Sequence, residues 1–233
     1  AVAQHAHVIL YAFGTDGQSN ALREALQRAE RAGVVVVTAA GNDGQDLARV
    51  PQYPAAFDAP NLVTVAAVNA AQELADFSNY GQAAHVAAPG VEIRTTMRPN
   101  RYTRISGTSA AAAHVAGVAS RLKAVRPWVS AATIKQSLVQ SARKLPALQG
   151  KVSAGLVDAA AARVALQQPT DPDKIKLPKA PLNKRLEARK QRVKARRAAK
   201  PLADPEMPQS YQYDLNTTRE SRPARPDASV RVN

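Results

Sequence analysis

The chain has 233 residues, of which 45% are hydrophobic, 4% are aromatic and none is cysteine, and its formal net charge at pH 7 is +14. The lack of cysteine excludes a disulfide framework and a thiolate metal site. No apolar run in the sequence approaches the roughly 20 residues that span a bilayer, so no transmembrane segment is predicted. Alanine and valine supply most of the apolar residues, which suits the closely packed strands and helices of an α/β domain.

The positive charge is concentrated toward the C-terminus. Residues 174–200 contain twelve basic residues and one acid, Glu187, and proline recurs on both sides of this run. Such a polar segment buries too little apolar surface to fold alone. We therefore predict a folded part over residues 1–168 and a basic, Pro-rich extension over residues 169–233 that only a partner orders. RNA or an acidic protein is the expected partner of residues 174–200, with an anionic membrane surface or a solvated linker as alternatives.

The first part of the chain alternates between strand-like and helix-like patterns. Residues 7–14 form an apolar run, and residues 17–33 then show helical spacing with Ser19 or Asn20 as the N-cap. Residues 34–42 are a β-branched run too continuous for a half-exposed strand. This order predicts a βαβ unit whose second strand lies in the middle of a parallel sheet.

The following segments extend the same α/β pattern. They predict, in chain order, a buried strand over residues 61–69, a short strand at His85 to Ala88, a hairpin formed by residues 91–96 and 101–106, a buried helix over residues 108–125 that Pro127 stops, and two further helices beginning at Ser130 and Gly155. The predicted fold class is therefore α/β with a largely parallel sheet.

Ser109 is a candidate nucleophile. A serine hydroxyl reacts only when a base removes its proton and donors stabilise the oxyanion. Ser109 follows a Gly-Thr pair at the start of a predicted buried helix, where small neighbours and the positive helix end favour such a role. Serine is also a favoured N-cap, and by residue type alone the capping role is the more frequent one.

Four stretches of the sequence together carry a family resemblance. They read GVVVVTAAGN, YPAAFDAPNLVTVAAVN, ADFSNYGQAAHVAAPGVEI and GTSAAAAHVAG, and they occur in this order within roughly residues 7–165. The last resembles the nucleophile signature GTSMAAPHVAG of subtilisin-like serine peptidases, with Ala110 and Ala113 where Met and Pro are usual. The resemblance implies a subtilisin-like α/β fold with helices on both faces of the sheet, and serine endopeptidase activity on a peptide or protein substrate.

The resemblance also implies roles for particular residues. Ser109 matches the nucleophile and Asn42 the side-chain donor of the oxyanion hole. The segment that lines the primary specificity pocket is matched by Ala39, Ala40 and Gly41. The extended strand that pairs with the substrate backbone is matched by Ala12, Phe13 and Gly14, with Ala12 in the place of a customary serine.

The sequence contains no evident partner base for Ser109. Subtilisin-like peptidases carry Asp, then His, then Ser in chain order, and nothing before Ser109 resembles the Asp or His segments. His114 lies about 140° round the predicted helix from Ser109, and the remaining histidines, His5, His7 and His85, are interpreted as surface or packing residues. We therefore expect the N-terminal part of the domain, with its Asp and His, on a preceding segment or a separate chain. The alternative is a catalytically inactive subunit that serves as a scaffold in a large assembly, its basic tail binding RNA or an acidic partner.

Cofactor and compartment are less constrained. The resemblance alone makes calcium a candidate, because the sequence shows no cluster of oxygen ligands. It favours a secreted or cell-envelope location, with an organellar assembly as the alternative. The strand near Val8 is expected to leave an unpaired sheet edge, which predicts an association partner there.

Overall fold

The structure is a computed structural model and describes residues 1–167 and 230–231. Its central element is a parallel sheet of five strands in the order β1-β2-β3-β4-β7. Numbered in chain order, these strands are β1 (Val8–Tyr11), β2 (Val35–Ala39), β3 (Leu62–Val68), β4 (Val86–Pro89) and β7 (Gly155–Leu156). Each neighbouring pair is parallel, so all carboxyl ends lie at one edge of the sheet.

The middle strands are apolar on both faces. Every residue of β2 and β3 is buried, as a parallel sheet covered on both sides requires. Val34 and Val36 belong to one apolar cluster, and Val35 and Val37 belong to another on the opposite face. β1 lies at the end of the strand order and is more exposed, with Leu10 42% exposed.

Four helices cover the two faces of this sheet. They are α1 (Asn20–Arg31), α2 (Thr108–Val125), α3 (Ala131–Gln140) and α4 (Ala159–Gln167). Leu26 and Ala29 of α1 pack in the cluster of Val34 and Val36, whereas α2, α3 and α4 pack in the cluster of Val35 and Val37. The prediction of a largely parallel sheet with helices on both faces is confirmed.

Local signals set most helix boundaries. The Ser19 hydroxyl accepts from the Leu22 amide, and the Ser130 hydroxyl accepts from the Thr133 amide, so both serines are N-caps. The prediction that the last helix begins at Gly155 is wrong. Gly155 instead pairs with β4, and a Cβ there would lie 2.4 Å from the Arg143 carbonyl oxygen. The short strand β7 therefore occupies this position, and α4 begins only at Ala159.

The predicted hairpin is confirmed as part of a second sheet. β5 (Ile93–Met97) and β6 (Arg101–Ser106) are antiparallel, and β8 (Val230–Arg231) lies parallel to β6. β6 ends three residues before Ser109, so the hairpin leads directly into α2.

The basic run at 174–200 lies outside the described residues, and the boundary at residue 168 stays a prediction. Within residues 1–167, no helix is long and apolar enough to cross a membrane.

Candidate active site

Ser109 is the second residue of α2, at the carboxyl edge of the central sheet. Its Oγ donates to the carbonyl oxygen of Ala12, which follows β1, at 2.7 Å. The helix start comes this close to the strands because its neighbours are small. A Cβ at Gly90 would lie 2.6 Å from the Ala67 Cβ and 2.9 Å from the Gly107 carbonyl oxygen. Glycine at position 90 therefore permits the approach that places Ser109 at this edge.

Asn42 follows β2 and is held against the start of α2. Its Oδ1 accepts from the Thr108 amide at 2.8 Å and from the Thr108 hydroxyl at 2.9 Å. The Thr108 Oγ1 also accepts from the Gly41 amide at 3.1 Å. Because Thr108 binds the carbonyl end of the side chain, the Nδ2 of Asn42 faces away from Thr108. Thr108, the residue directly before Ser109, thus orients the Asn42 side chain.

The turn that carries Asn42 is held by Asn79. The Asn79 Nδ2 donates to the Ala40 carbonyl oxygen at 3.1 Å, and its Oδ1 accepts from the amides of Asp43 and Gln45 at 3.1 and 2.9 Å. Gly41 has a φ of +105°, and a Cβ there would lie 2.2 Å from the Asn79 Nδ2. Glycine is therefore required at position 41 for the turn to close on Asn79.

The segments predicted to bind substrate occupy two places. Ala39 and Ala40 are buried where β2 ends, and Gly41 is partly buried in the turn that follows. After β1, the partly buried Ala12 contacts Ser109, as given above. Phe13 and Gly14 are exposed, and the Phe13 ring lies 4.0 Å from the ring of Tyr11, centroid to centroid.

The structure places three of the four histidines away from this edge. His5 and His7 are exposed and precede β1. His85 precedes β4, and its Nδ1 accepts from the Thr64 amide at 2.9 Å. Because parallel strands share one direction, residues that precede strands lie at the amino edge, opposite Ser109. Burial, with a smaller effect from the charge of Lys135, lowers the pKa of His85 from 6.5 to about 3.

The fourth histidine, His114, lies on α2 itself. It is exposed five residues after Ser109, about 140° away around the helix. The position of His114 therefore agrees with its interpretation as a non-catalytic residue.

Within residues 1–167 and 230–231, no group of three His, Cys, Asp or Glu residues is placed to hold a metal ion, and the calcium expectation rests on the resemblance.

Sequence reasoning missed two residues that organise this site. Thr108 stands inside the Gly-Thr-Ser motif, so its position next to Ser109 was a signal that it belongs to the site. Its contact with Asn42 spans 66 positions and has no local signature. Asn79 lies among turn residues, and nothing near it in the sequence indicates that its side chain reaches the chain at Ala40, 39 positions earlier.

The fold is that of the subtilase family. The Peptidase S8 model, described as the subtilase family, matches residues 1–165, and the chain belongs to this family. The thermostable alkaline protease of Halalkalibacterium halodurans is 38% identical over 161 residues, which are 68% of this chain and 42% of that protein. Subtilisin DY of Bacillus licheniformis is 37% identical over 138 residues, which are 59% of this chain and 50% of that protein.

Solved structures support the same assignment. A chain described as proteases from Pseudoalteromonas arctica PAMC 21717 superposes with a TM-score of 0.62 at 33% identity. The match covers 69% of this chain and 51% of that one. The predicted family and fold are thus confirmed, and the chain spans about half the length of the relatives it matches.

Proposed function

We propose that this chain supplies the nucleophile and the oxyanion donor of a subtilisin-type serine endopeptidase. The observation that carries the proposal is the link between Asn42 and Ser109: Asn42 is hydrogen-bonded to Thr108, and Thr108 directly precedes Ser109 in the chain. This link holds a carboxamide in a set orientation beside a serine at a helix start. Catalytic donors act best when their orientation is set before the reaction, because no reorganisation is then needed as charge develops.

In the proposed reaction, Ser109 Oγ attacks the carbonyl carbon of a substrate peptide bond. The hydroxyl proton passes to a histidine imidazole, and the Asn42 Nδ2 and the Ser109 backbone amide stabilise the oxyanion. The tetrahedral intermediate then expels the amine product, which takes the proton from the imidazole. Water attacks the acyl-enzyme in the same way, releases the acid product and restores Ser109.

The base is proposed to come from outside the described residues. His5, His7 and His85 lie at the amino edge of the sheet and His114 lies on the exposed side of α2, so a histidine and its aspartate partner are expected on a preceding segment or a separate chain. The edge of β1 is the proposed docking place, because an unpaired strand edge favours association. In this state, the hydrogen bond from Ser109 to Ala12 exchanges for one to the imidazole.

Two segments are proposed to bind the peptide substrate. The backbone at Ala12, Phe13 and Gly14 would pair with the substrate chain beside the nucleophile. The segment of Ala39, Ala40 and Gly41 would line the pocket for the side chain next to the cleaved bond. Small residues there leave space for a side chain, and the preference among side chains depends on parts of the cleft outside these segments.

A fluorophosphonate probe tests the proposal directly. Native protein is treated with the probe, and the labelled residue is mapped by mass spectrometry, with Ser109→Ala as the control. We expect labelling at Ser109 that the control lacks, since the probe reacts only with an activated serine. Absence of labelling, in folded material that retains every chain of its assembly, would refute the peptidase proposal.

The alternative is an inactive subtilase subunit that serves as a scaffold. It is favoured by the hydrogen bond of the Ser109 hydroxyl to a backbone carbonyl, an ordinary structural use of serine. In this alternative, the basic run at 174–200 binds RNA or an acidic partner. A protein that resists the probe and yet binds such a ligand, in a manner dependent on that run, would support the scaffold function.

A further inference from the structure

The β5–β6 hairpin carries four exposed arginines, and we call this segment the arginine hairpin. The four are Arg94, Arg98, Arg101 and Arg104. Arg94 and Arg104 are directly opposite each other in the strand register, so both side chains lie on the same face. Like charges directly opposite on a sheet destabilise it. A pair of like charges that lowers the stability of its own hairpin calls for an explanation outside folding.

Within residues 1–167, neighbouring acids do not neutralise these charges. Within residues 1–167, the ion pair between Arg28 and Glu24 is the one that forms, and no carboxylate lies within 4.0 Å of the arginine hairpin. Arg104 makes a long hydrogen bond, 3.5 Å, to the backbone carbonyl of Glu92 rather than to its carboxylate. The guanidinium of Arg94 lies 4.6 Å from the ring centroid of Tyr102. Arg94 and Arg104 are thus oriented by neutral groups, and all four arginines are exposed.

The tip of the hairpin has a concave surface beside these charges. An open cleft there is lined by Thr96, Met97, Arg98, Asn100, Arg101 and Tyr102. Met97 and Tyr102 are 46% and 67% exposed, so apolar surface lies next to the guanidinium groups. This combination suits an extended chain that carries both anionic and apolar side chains.

We propose that the arginine hairpin binds an acidic segment of the polypeptide that the peptidase cleaves. This inference rests on the proposed function, because it assigns the segment to the substrate. Ser109 lies five positions after Arg104, a span of at most about 17 Å at 3.3 Å per extended residue. An acidic segment of the substrate that begins about five to ten residues from the cleaved bond could therefore reach the hairpin.

The chemistry favours carboxylates over nucleic acid. Guanidinium groups bind carboxylates through paired, charge-assisted hydrogen bonds. Single-stranded nucleic acid is bound by basic grooves together with aromatic rings on which bases stack. On the arginine hairpin the aromatic ring is that of Tyr102, and Arg94 already covers one of its faces.

Binding is measured without hydrolysis, in the Ser109→Ala form of the native protein. A fluorescein-labelled peptide of ten alternating Glu and Ser residues is titrated by fluorescence anisotropy. We expect the Arg94→Gln/Arg104→Gln pair to weaken binding by at least about tenfold. The matched control is Arg31→Gln/Arg49→Gln, which removes the same charge from exposed arginines outside the hairpin and should change the affinity less than about twofold.

Three results would overturn the inference. They are no binding of the peptide, equal weakening by both pairs of substitutions, and tighter hairpin-dependent binding of an oligonucleotide of the same charge, which would indicate a nucleic-acid surface. Arg98→Gln/Arg101→Gln provides a second hairpin variant if the first does not fold. Peptide binding without probe labelling of Ser109 would refute the peptidase proposal and the assignment of the peptide as substrate, whereas labelling without peptide binding would refute this inference alone.

Discussion

The two edges of the central sheet use similar polar residues for different purposes. At the carboxyl edge, Asn42 is partly exposed and its carboxamide is oriented by Thr108 beside Ser109. At the amino edge, Asn61 is fully buried, and its Nδ2 donates to the carbonyl oxygens of Leu26 and Val34 at 3.3 and 3.1 Å. Ligands of open α/β sheets bind at the carboxyl edge. We therefore expect the polar residues at the carboxyl edge to serve the proposed reaction and those at the amino edge to serve stability.

Substitutions of Asn42 and Asn61 test this contrast between the two edges most directly. For the proposed peptidase activity, we expect Asn42→Leu to lower kcat about 10²- to 10³-fold, the range known for the oxyanion-hole asparagine of subtilisin itself. Asn61→Leu should leave kcat unchanged but lower the free energy of unfolding by about 1 kcal/mol: two buried carbonyls lose their donor, while the loss of the Asn61 Oδ1, which is buried without a hydrogen-bond partner among the described residues, offsets part of the cost. Turnover and urea unfolding measure both effects. Equal losses of turnover in the two variants would contradict the contrast.

The amino edge should also show its structural character in the pH dependence of stability. The pKa of His85 is about 3 in the folded chain and 6.5 when unperturbed, so below pH 6.5 the unfolded chain binds a proton that the folded chain does not. His85 therefore contributes stability above pH 6.5 that is lost as the pH falls, by up to about 1.4 kcal/mol per pH unit. Urea unfolding between pH 7.5 and 5 measures this slope, and His85→Gln should flatten it. An unchanged slope in the variant would contradict the prediction.

Thr108 tests whether the link between the turn and the nucleophile is needed. Thr108→Val removes a hydroxyl that binds Asn42 and accepts from the Gly41 amide. We expect a loss of about 1–2 kcal/mol, because one side-chain hydrogen bond is lost and the Gly41 amide is left without an acceptor. The loss should be seen as a lower kcat or as a lower free energy of unfolding in urea. Thr108→Ser keeps the hydroxyl and should restore kcat. Failure of the serine variant to restore kcat would show that the methyl group, rather than the hydroxyl, matters.

The smallest predicted effect is a gain in the free energy of unfolding at the arginine hairpin, whereas the substitutions at both sheet edges lower activity or stability. Arg104→Gln removes one of two like charges that lie directly opposite in the sheet. We expect the free energy of unfolding to rise by a few tenths of a kcal/mol, roughly 0.2–0.5, at low salt and by less at high salt. Thermal unfolding at two salt concentrations measures the change, with Arg31→Gln as the control. A lower stability at both salt concentrations would mean that the Arg104 side chain stabilises the hairpin.

Much of the fold could be predicted from local patterns. The valine run of β2, the capping serines Ser19 and Ser130, and the alanine-rich α2 all carry their signals within a few residues. The start of α4 could not be predicted this way. Gly155 looks like the start of a helix, but its close approach to Arg143, together with its pairing to β4, places it in a strand. Both interactions join Gly155 to residues that are far from it in the sequence, so a local pattern does not reveal them.

The sequence by itself determined the order of strands and helices except for the short strand β7, the position of a serine at a helix start and, through four motifs, the family. Periodicity, caps and motifs are local, so they can be identified without coordinates. Only the tertiary structure decided that Thr108 orients Asn42, that His85 lies at the opposite edge from Ser109, and that two hairpin arginines share one face. Each of these depends on strand register or on contacts between distant segments, which packing of the whole chain determines.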